Sequence, residues 1–400
     1  MKNILLYLFL INILFGQNNY PIVLIHGFFG WGHDEMGNYR YWGGNKDIQK
    51  ILEKNGHTVF NVSVGPISSN WDRAVEVYYQ LKGGQLDYGY GHSTKYGLIQ
   101  KPSDKKYKGL YTEWDENHPI HIIGHSMGGQ TARMLQYLLE TEIYKDSLGN
   151  KNEESELLGQ SKKGWISSIT TLATPHDGST LADIVTKTFP FVQYFIGLAG
   201  VFGTNFYNFD LSQWNLFRAP DETWSSYVRR MRSHKAWDTK NISAWDLSLE
   251  GAAELNGYLN ASPDIYYFSF VFSATKKNKS TGYHVPNKDA FLLIRSRAKL
   301  LGSKILFKTD GTETDSTWWE NDGIVNTRSM KGPTSGQNGP DPIVPYLESD
   351  PLMQGQWYTF DTINLDHYQS VGHMLSKEKR LMLDSIYINH ANLLSSLPKY

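Results

Sequence analysis

Short apolar runs alternate with turn-rich or amphipathic stretches along most of the chain. The strongest runs are Ile22 to His26, Thr58 to Val64, Ile120 to Gly124, Ile166 to Ala173 and Ile265 to Phe270. Runs of this length, rich in β-branched residues, are typical of strands buried on both faces of a parallel sheet. The pattern predicts an α/β protein, with helices on both faces of a mostly parallel sheet.

The first apolar stretch lies outside that alternation. Met1 to Gln17 has one lysine, Lys2, followed by an apolar stretch from Ile4 to Phe15 and the small residue Gly16. This pattern is typical of a secretory signal peptide, and the stretch is short for a membrane span. We expect residues 1–17 to be a cleaved signal peptide on a secreted, extracellular protein. A retained N-terminal anchor is the alternative.

Composition narrows the class of protein further. The chain has no cysteine, so its fold is stabilised without disulfides. A net charge of −1 argues against a nucleic-acid partner, which usually selects for a basic surplus. We expect residues 18–400 to form a single domain with insertions, and no feature of the sequence indicates an obligate protein partner.

The third predicted strand leads into a serine that is flanked by glycines. Gly124, Ser126 and Gly128 form the pattern G-x-S-x-G, and the helix-like stretch Gln130 to Leu139 follows. A serine hydroxyl is a weak nucleophile, so enzymes expose it on a tight strand-to-helix turn where a histidine takes its proton. The pentapeptide alone also occurs by chance. The G-x-S-x-G pattern is a stronger indication here because the strand at Ile22 to His26 also ends in a glycine-rich loop, as in α/β-hydrolases.

The order of catalytic residues in α/β-hydrolases places an acid and then a histidine after the serine. His367, near the C-terminus, is the predicted base for Ser126. His373 and His390 are weaker candidates, because their segments are typical of a loop and a terminal helix.

Asp322 is the predicted acid of the triad. It lies on a turn between aromatic residues and an apolar strand, where its carboxylate could fix the tautomer of the histidine. The alternatives are Asp315, Asp361 and Asp366.

Two backbone amides and an apolar segment complete the predicted site. The N–H groups of Phe28 and Met127 are the expected oxyanion donors, the second because it follows the nucleophile. The stretch from Leu181 to Tyr207 carries more apolar residues than one helix face can bury, which predicts a surface-active lid. A buried core helix is the alternative.

Longer strings around these residues resemble one family, the thermoalkalophilic and staphylococcal triacylglycerol lipases. In chain order the strings are HGFFGWG at 26–32, YWGG at 41–44, VGPISSNWDRA at 64–74, GHSMGGQTAR at 124–133, ATPHDG at 173–178 and ENDGIVNT at 320–327. The resemblance implies a secreted α/β-hydrolase with a helical lid around 181–207. It also implies a triad of Ser126, Asp322 and His367 that hydrolyses esters of long acyl chains.

The same resemblance implies a structural zinc in an inserted subdomain, here around 66–115 and 236–250. Asp72, His92 and Asp246 match three of its four ligand positions, but Leu98 stands where the family has a second histidine. A structural zinc normally takes four ligands, so the affinity of this set should be low. We expect either a weakened zinc site or a hydrogen-bonded polar cluster of the same residues.

The resemblance also covers calcium and the substrate. The family's calcium loop corresponds to Tyr368 to Leu375, which has no carboxylate, so we expect no conventional calcium site.

The implied substrate is a lipid ester at an oil–water or membrane surface. Arg73 could contact an anionic headgroup or form a structural salt bridge, so a phospholipase is an alternative. The other alternative functions are a short-chain carboxylesterase and a non-catalytic lipid-binding homologue.

Overall fold

A computed structural model describes residues 18–143, 155–188 and 212–399, apart from 217, 218, 220, 233, 309, 337 and 338. Seven strands form its main sheet, and every neighbouring pair is parallel. In chain order they are β1 (Ile22–Ile25), β2 (Val59–Val62), β5 (Ile120–His125), β6 (Ile166–Leu172), β7 (Tyr266–Phe270), β10 (Ile343–Pro345) and β11 (Trp357–Thr359). Their spatial order is β10-β11-β7-β6-β5-β1-β2. All five strands predicted from the apolar runs are present.

Helices and two small antiparallel sheets surround these strands. The two-stranded sheets pair β3 (Gly84–Gln85) with β4 (Lys106–Tyr107) and β8 (Thr275–Lys277) with β9 (His284–Pro286). The described helices are α1 (Ile48–Lys54), α2 (Asn70–Lys82), α3 (Tyr90–Tyr96), α4 (Met127–Glu140), α5 (Thr180–Thr188), α6 (Trp224–Arg232), α7 (Ser243–Asp246), α8 (Leu249–Asn256), α9 (Leu292–Leu301) and α10 (Lys377–Ser396).

The main sheet buries apolar side chains on both faces. Successive side chains of β1 point to opposite sides, so Val23 and Ile25 join one core cluster while Ile22 and Leu24 join another. The first cluster includes residues of α2 and α4, and the second includes residues of α1 and α10. Helices therefore cover both faces, as expected for an α/β-hydrolase.

The predicted insert lies between β2 and β5. It contains α2, α3 and the small sheet of β3 and β4, and Ser68 forms a backbone bridge with Ile242, just before α7. The Ser69 hydroxyl accepts from the Asp72 amide and caps the start of α2. The two predicted parts of the insert, around 66–115 and 236–250, are thus in contact.

Two predictions fall wholly or partly outside the described residues. The signal peptide, residues 1–17, lies outside them. The predicted lid begins in α5, and residues 189–207 of it lie outside. None of the described helices is both long enough and apolar enough to cross a membrane.

Candidate active site

Ser126 occupies a sharp turn between β5 and α4. Its backbone has φ 55° and ψ −127°, a region that residues other than glycine rarely adopt. The amide of Ser126 donates to the carbonyl of Leu172 at 2.8 Å, which ties the turn to the end of the neighbouring strand β6. Strained non-glycine backbone of this kind concentrates at functional sites. Ser126 therefore has the geometry of a nucleophile elbow.

The glycines around the serine are required by close backbone contacts. A Cβ on Gly124 would lie 2.5 Å from the backbone of Gly128, and one on Gly128 would lie 2.2 Å from the carbonyl oxygen of Ile25. A Cβ on Gly27 would lie 2.7 Å from the Cβ of Ser126. Only glycine fits at these three positions without moving the elbow or the loop after β1.

Asp322 is held on a tight turn of its own. One carboxylate oxygen, Oδ1, accepts hydrogen bonds from the amides of Ile324 and Val325 at 2.9 and 2.8 Å. Gly323 adopts φ +96°, and a Cβ there would lie 2.7 Å from the side chain of Ile294 in α9. The turn fixes the carboxylate and leaves Oδ2 free to face His367.

The structure brings Asp322 and His367 into direct contact. The Nδ1 atom of His367 lies 2.6 Å from Oδ2 of Asp322, and the amide of His367 donates to the Asp322 carbonyl at 3.1 Å. Asp322 is fully buried and His367 nearly so. With Nδ1 as the donor, Nε2 of the imidazole is left as the proton acceptor, which is the form a general base requires.

The alternative acids and bases have other partners. Asp315 is exposed and caps a 3₁₀ helix at Ser316–Trp318, and Asp361 is exposed. Asp366 accepts from the amides of Phe291, Tyr368 and Gln369. His373 contacts Tyr39 and the carbonyl of Tyr41, and His390 contacts Thr170 within strand β6.

A buried chain of hydrogen bonds that the sequence analysis did not predict runs behind the serine. The hydroxyl of Tyr41 accepts from the amide of Gly27 at 2.9 Å and lies 2.6 Å from Nδ1 of His125. Nε2 of His125 lies 3.0 Å from the hydroxyl of Ser370, which donates to the carbonyl of His367 at 2.7 Å. This hydrogen-bonded chain links the loop after β1 to the backbone of the predicted base.

The hydrogen-bond partners at the ends of that hydrogen-bonded chain determine which atoms carry its protons. The Ser370 hydroxyl donates to a carbonyl, so it accepts from Nε2–H of His125, and Nδ1 of His125 then accepts from the Tyr41 hydroxyl. Burial and the neighbouring His367 lower the pKa of His125 well below its usual value, while burial raises the pKa of Tyr41. Both side chains are therefore neutral, as this arrangement needs.

The loop after β1, which carries Phe28, is held by buried polar contacts. Arg73 donates to the carbonyls of His26 and, at 2.9 Å, Gly65, and the amide of Phe29 donates to Pro66 at 2.9 Å. Arg73 is fully buried and also donates to Thr131 at 2.9 Å. The suggested contact of Arg73 with a lipid headgroup is therefore wrong, because its guanidinium is enclosed by the protein.

Met127 is the first residue of α4, directly after the serine. The first amides of a helix have no acceptor within the helix, so they are available to a ligand placed at its N-terminus. Phe28 is half-buried and packs with Phe29 against an apolar cluster that includes Ile67, Trp214 and Leu216. Both predicted oxyanion donors thus belong to segments that adjoin Ser126.

Comparison with known proteins places this arrangement in a family. The model of a family described as "Lipase-like, C-terminal domain" matches residues 18–394. Lipase 1 of Staphylococcus aureus (strain MRSA252) is 36% identical over 369 residues, covering 89% of this chain and 51% of that protein. The chain belongs to the staphylococcal-type lipase family.

Solved structures agree with that assignment. Staphylococcus hyicus lipase matches with a TM-score of 0.81 at 30% identity, covering 95% of this chain and 96% of that one. EstA from Clostridium botulinum matches with a TM-score of 0.85 at 38% identity, covering 96% and 89%. The fold of this lipase-family chain is that of an α/β-hydrolase. The chain spans about half the length of the curated relatives that it matches.

In this lipase-family chain the residues at the family's zinc positions form hydrogen bonds with the protein. Nε2 of His92 lies 2.8 Å from Oδ1 of Asp72, and Asn241 donates to Oδ2 of Asp72 at 3.0 Å. Oδ2 of Asp246 accepts from the amide of Asn70 at 2.6 Å. Burial, together with the nearby Asp72, raises the pKa of Asp246 to about 7. The three side chains cross-link α2, α3 and α7.

As placed, these side chains do not offer a tetrahedral zinc site. Both oxygens of Asp72 are already hydrogen-bonded, and Leu98 packs against an apolar cluster with Ile67 and Trp214. Among the residues that the structure describes, no group of three or more His, Asp or Glu side chains is arranged to hold a metal ion. A cavity of about 340 Å³ opens beside His92 and Asp246.

The loop at the family's calcium position forms a short 3₁₀ helix at Gln369–Val371. The nearest carboxylate, Asp366, is occupied by three backbone amides. Burial raises the pKa of Asp366, which further disfavours its charged form. The absence of a conventional calcium site stays a prediction.

Proposed function

We propose that this chain is a secreted lipase that hydrolyses carboxylic ester bonds of triacylglycerols. The observation that carries the proposal is the buried pair of Asp322 and His367, joined at 2.6 Å, with the ring of His367 packed against His125, the residue before the strained turn of Ser126. The names of its relatives support a lipid ester as the substrate. The N-terminal sequence pattern supports secretion.

The proposed reaction is acyl transfer in two steps. Oγ of Ser126 attacks the ester carbonyl while Nε2 of His367 takes its proton, and the carboxylate of Asp322 stabilises the imidazolium. The amides of Phe28 and Met127 donate to the oxyanion of the tetrahedral intermediate. The imidazolium then gives its proton to the departing alcohol, which leaves the acyl group on the serine.

Water completes the cycle. His367 takes a proton from water, the resulting hydroxide equivalent attacks the acyl carbonyl, and the second tetrahedral intermediate collapses. The proton returns to Oγ of Ser126, and the fatty acid is released. None of these steps requires a metal ion.

The test compares three substrates in the mature chain and in Ser126→Ala. The substrates are an emulsified long-chain triacylglycerol, a short soluble ester and a phospholipid vesicle. Turnover of the emulsion that the variant lacks is the expected result. Turnover of the short ester alone would favour a carboxylesterase, and preference for the vesicle would favour a phospholipase. Lipid binding without any turnover would favour a non-catalytic homologue and contradict the proposal.

A further inference from the structure

Helix α9 exposes apolar residues on the face that points away from the protein. Its inward face buries Ile294, Ala298 and Leu301, at helical spacing. On the opposite side Leu292 and Leu293 are 72% and 70% exposed, and Leu300 is also exposed. A helix at the surface of a protein normally carries polar residues there. Within the part of the chain that the structure describes these leucines stay exposed, so this face of the helix is open to a binding partner.

The chain continues this exposed apolar character after the helix. Leu306 is buried against Leu249 and Trp318, while its two neighbours Ile305 and Phe307 are exposed, Phe307 by 71%. We call Leu292, Leu293, Leu300, Ile305 and Phe307 the apolar ridge. Single exposed apolar residues are ordinary, but five within sixteen positions mark an interaction surface.

The segment that carries the apolar ridge is strongly basic. Residues 276–308 contain nine of the chain's 39 Lys and Arg residues but only one of its 40 acidic residues. That acid, Asp289, is paired with Lys379. The cations are Lys276, Lys277, Lys279, Lys288, Arg295, Arg297, Lys299, Lys304 and Lys308.

The ridge is fixed to the segments that carry the predicted acid and base. Ile294 packs against the Gly323 turn beside Asp322. The amide of Phe291, the residue that caps α9, donates to Asp366 at 2.8 Å, directly before His367. A partner that binds the ridge would therefore be held beside the active site in a defined orientation.

We propose that the apolar ridge and its cations dock the protein onto an anionic phospholipid surface. Exposed leucine and phenylalanine side chains enter the acyl boundary of such a surface, and lysine and arginine side chains meet its phosphates. The inference deepens the proposed function, since it names the surface that would deliver lipid ester to Ser126. A second copy of the chain fits less well, because protein interfaces are depleted in lysine and a symmetric dimer would bring like charges together.

The test measures binding to vesicles by the full mature chain carrying Ser126→Ala, so that no lipid is consumed. Vesicles of phosphatidylcholine are compared with vesicles of equal parts phosphatidylcholine and phosphatidylglycerol. We expect tighter binding to the anionic vesicles, weakened by salt. Leu292→Ser together with Leu293→Ser should weaken that binding at least about tenfold. The matched control is Leu347→Ser with Leu381→Ser, two exposed leucines outside the basic segment, which should bind as the parent does.

Four results would overturn the docking proposal. The first three are equal binding to both kinds of vesicle, unchanged binding by the Leu292 and Leu293 variant, and dissociation of a dimer by that variant in sedimentation. A fall in its melting temperature would mean that the leucines pack within the chain, and would also overturn the proposal. Hydrolysis by the chain with Ser126 intact is measured separately, so failure of the catalytic proposal and failure of docking can be distinguished.

Discussion

The imidazole of His125 packs against that of His367, with ring centroids 4.6 Å apart and the ring planes tilted by 47°. His125 directly precedes the predicted nucleophile, and its two nitrogens are held by Tyr41 and Ser370. The backbone of the predicted base is thus supported through the same residue that leads into the elbow. The loop after β1, the elbow and the His367 segment therefore share one buried hydrogen-bonded chain.

Removing the Tyr41 hydroxyl should slow the reaction without changing substrate binding. Tyr41→Phe leaves the Gly27 amide and Nδ1 of His125 without their partner, each in a buried position. Loss of a buried hydrogen bond costs about 1–3 kcal/mol, so we expect kcat to fall about tenfold or more while KM changes little. Steady-state kinetics on a soluble ester measure the separation of kcat from KM.

Tyr39→Phe is the matched control for that variant. It removes a similar hydroxyl, 2.8 Å from Nδ1 of His373, outside the chain that reaches His367. Its kcat should stay within about twofold of the parent value, because the Tyr39 hydroxyl bonds to His373 and not to the hydrogen-bonded chain behind Ser126. An equal fall in kcat in Tyr39→Phe and Tyr41→Phe would show that the hydrogen-bonded chain does not position the base.

Replacing Asp322 by asparagine should abolish most activity while the fold persists. The asparagine oxygen can accept from Ile324 and Val325, which leaves its amide group facing Nδ1 of His367. That amide donates, so the imidazole proton moves to Nε2 and the base is lost. By analogy with serine proteases we expect kcat to fall about 10³- to 10⁴-fold.

Asp315→Asn provides the comparison for the acid. Asp315 was an alternative from sequence, but it is exposed and bonds to Thr317. Its substitution should leave kcat within about twofold, while circular dichroism confirms that both variants are folded. A fall of less than about tenfold in Asp322→Asn would exclude Asp322 as the triad acid.

The strands were predictable because their signals are local, and the triad of Ser126, Asp322 and His367 stays a prediction from chain order. Apolar runs such as Ile166 to Ala173 are long and β-branched, and the order of Ser126, Asp322 and His367 follows a known topology. Strands β10 and β11 were not predicted, because three residues each are too few to show a period.

Long-range polar contacts could not be predicted in the same way. Tyr41 lies 84 positions from His125, and His125 lies 245 from Ser370. No spacing rule connects residues at such distances, although the motifs containing Tyr41 and His125 were visible. The sequence left Arg73 open between a headgroup contact and a structural salt bridge for the same reason, since its carbonyl partners come from separate segments.

Chelation tests whether the cluster of Asp72, His92 and Asp246 holds zinc. The hydrogen bonds of Asp72 with His92 and Asn241 cross-link the insert without a metal. We therefore expect the melting temperature after EDTA and dialysis to stay within about 1 °C of the untreated value, a shift well below about 1 kcal/mol. Metal analysis of the purified chain is the second measurement. If the purified chain contains one zinc whose removal lowers the melting temperature by several degrees, the cluster is a zinc site.

Buried histidines should make the protein less stable in acid, and His390 allows a clean test. Burial among aromatic rings lowers the pKa of His390 to about 3. The usual pKa of a histidine, about 6.5, applies to the unfolded chain. At pH values between about 6.5 and about 3 the unfolded chain therefore binds a proton that the folded chain does not, so the free energy of unfolding falls as the pH falls. The loss approaches about 1.4 kcal/mol per pH unit below pH 6. His390→Phe should therefore show a shallower decline in urea-unfolding free energy from pH 7 to 5, whereas His118→Gln on the surface should keep the parent slope. Identical slopes in all three proteins would contradict a neutral, buried His390.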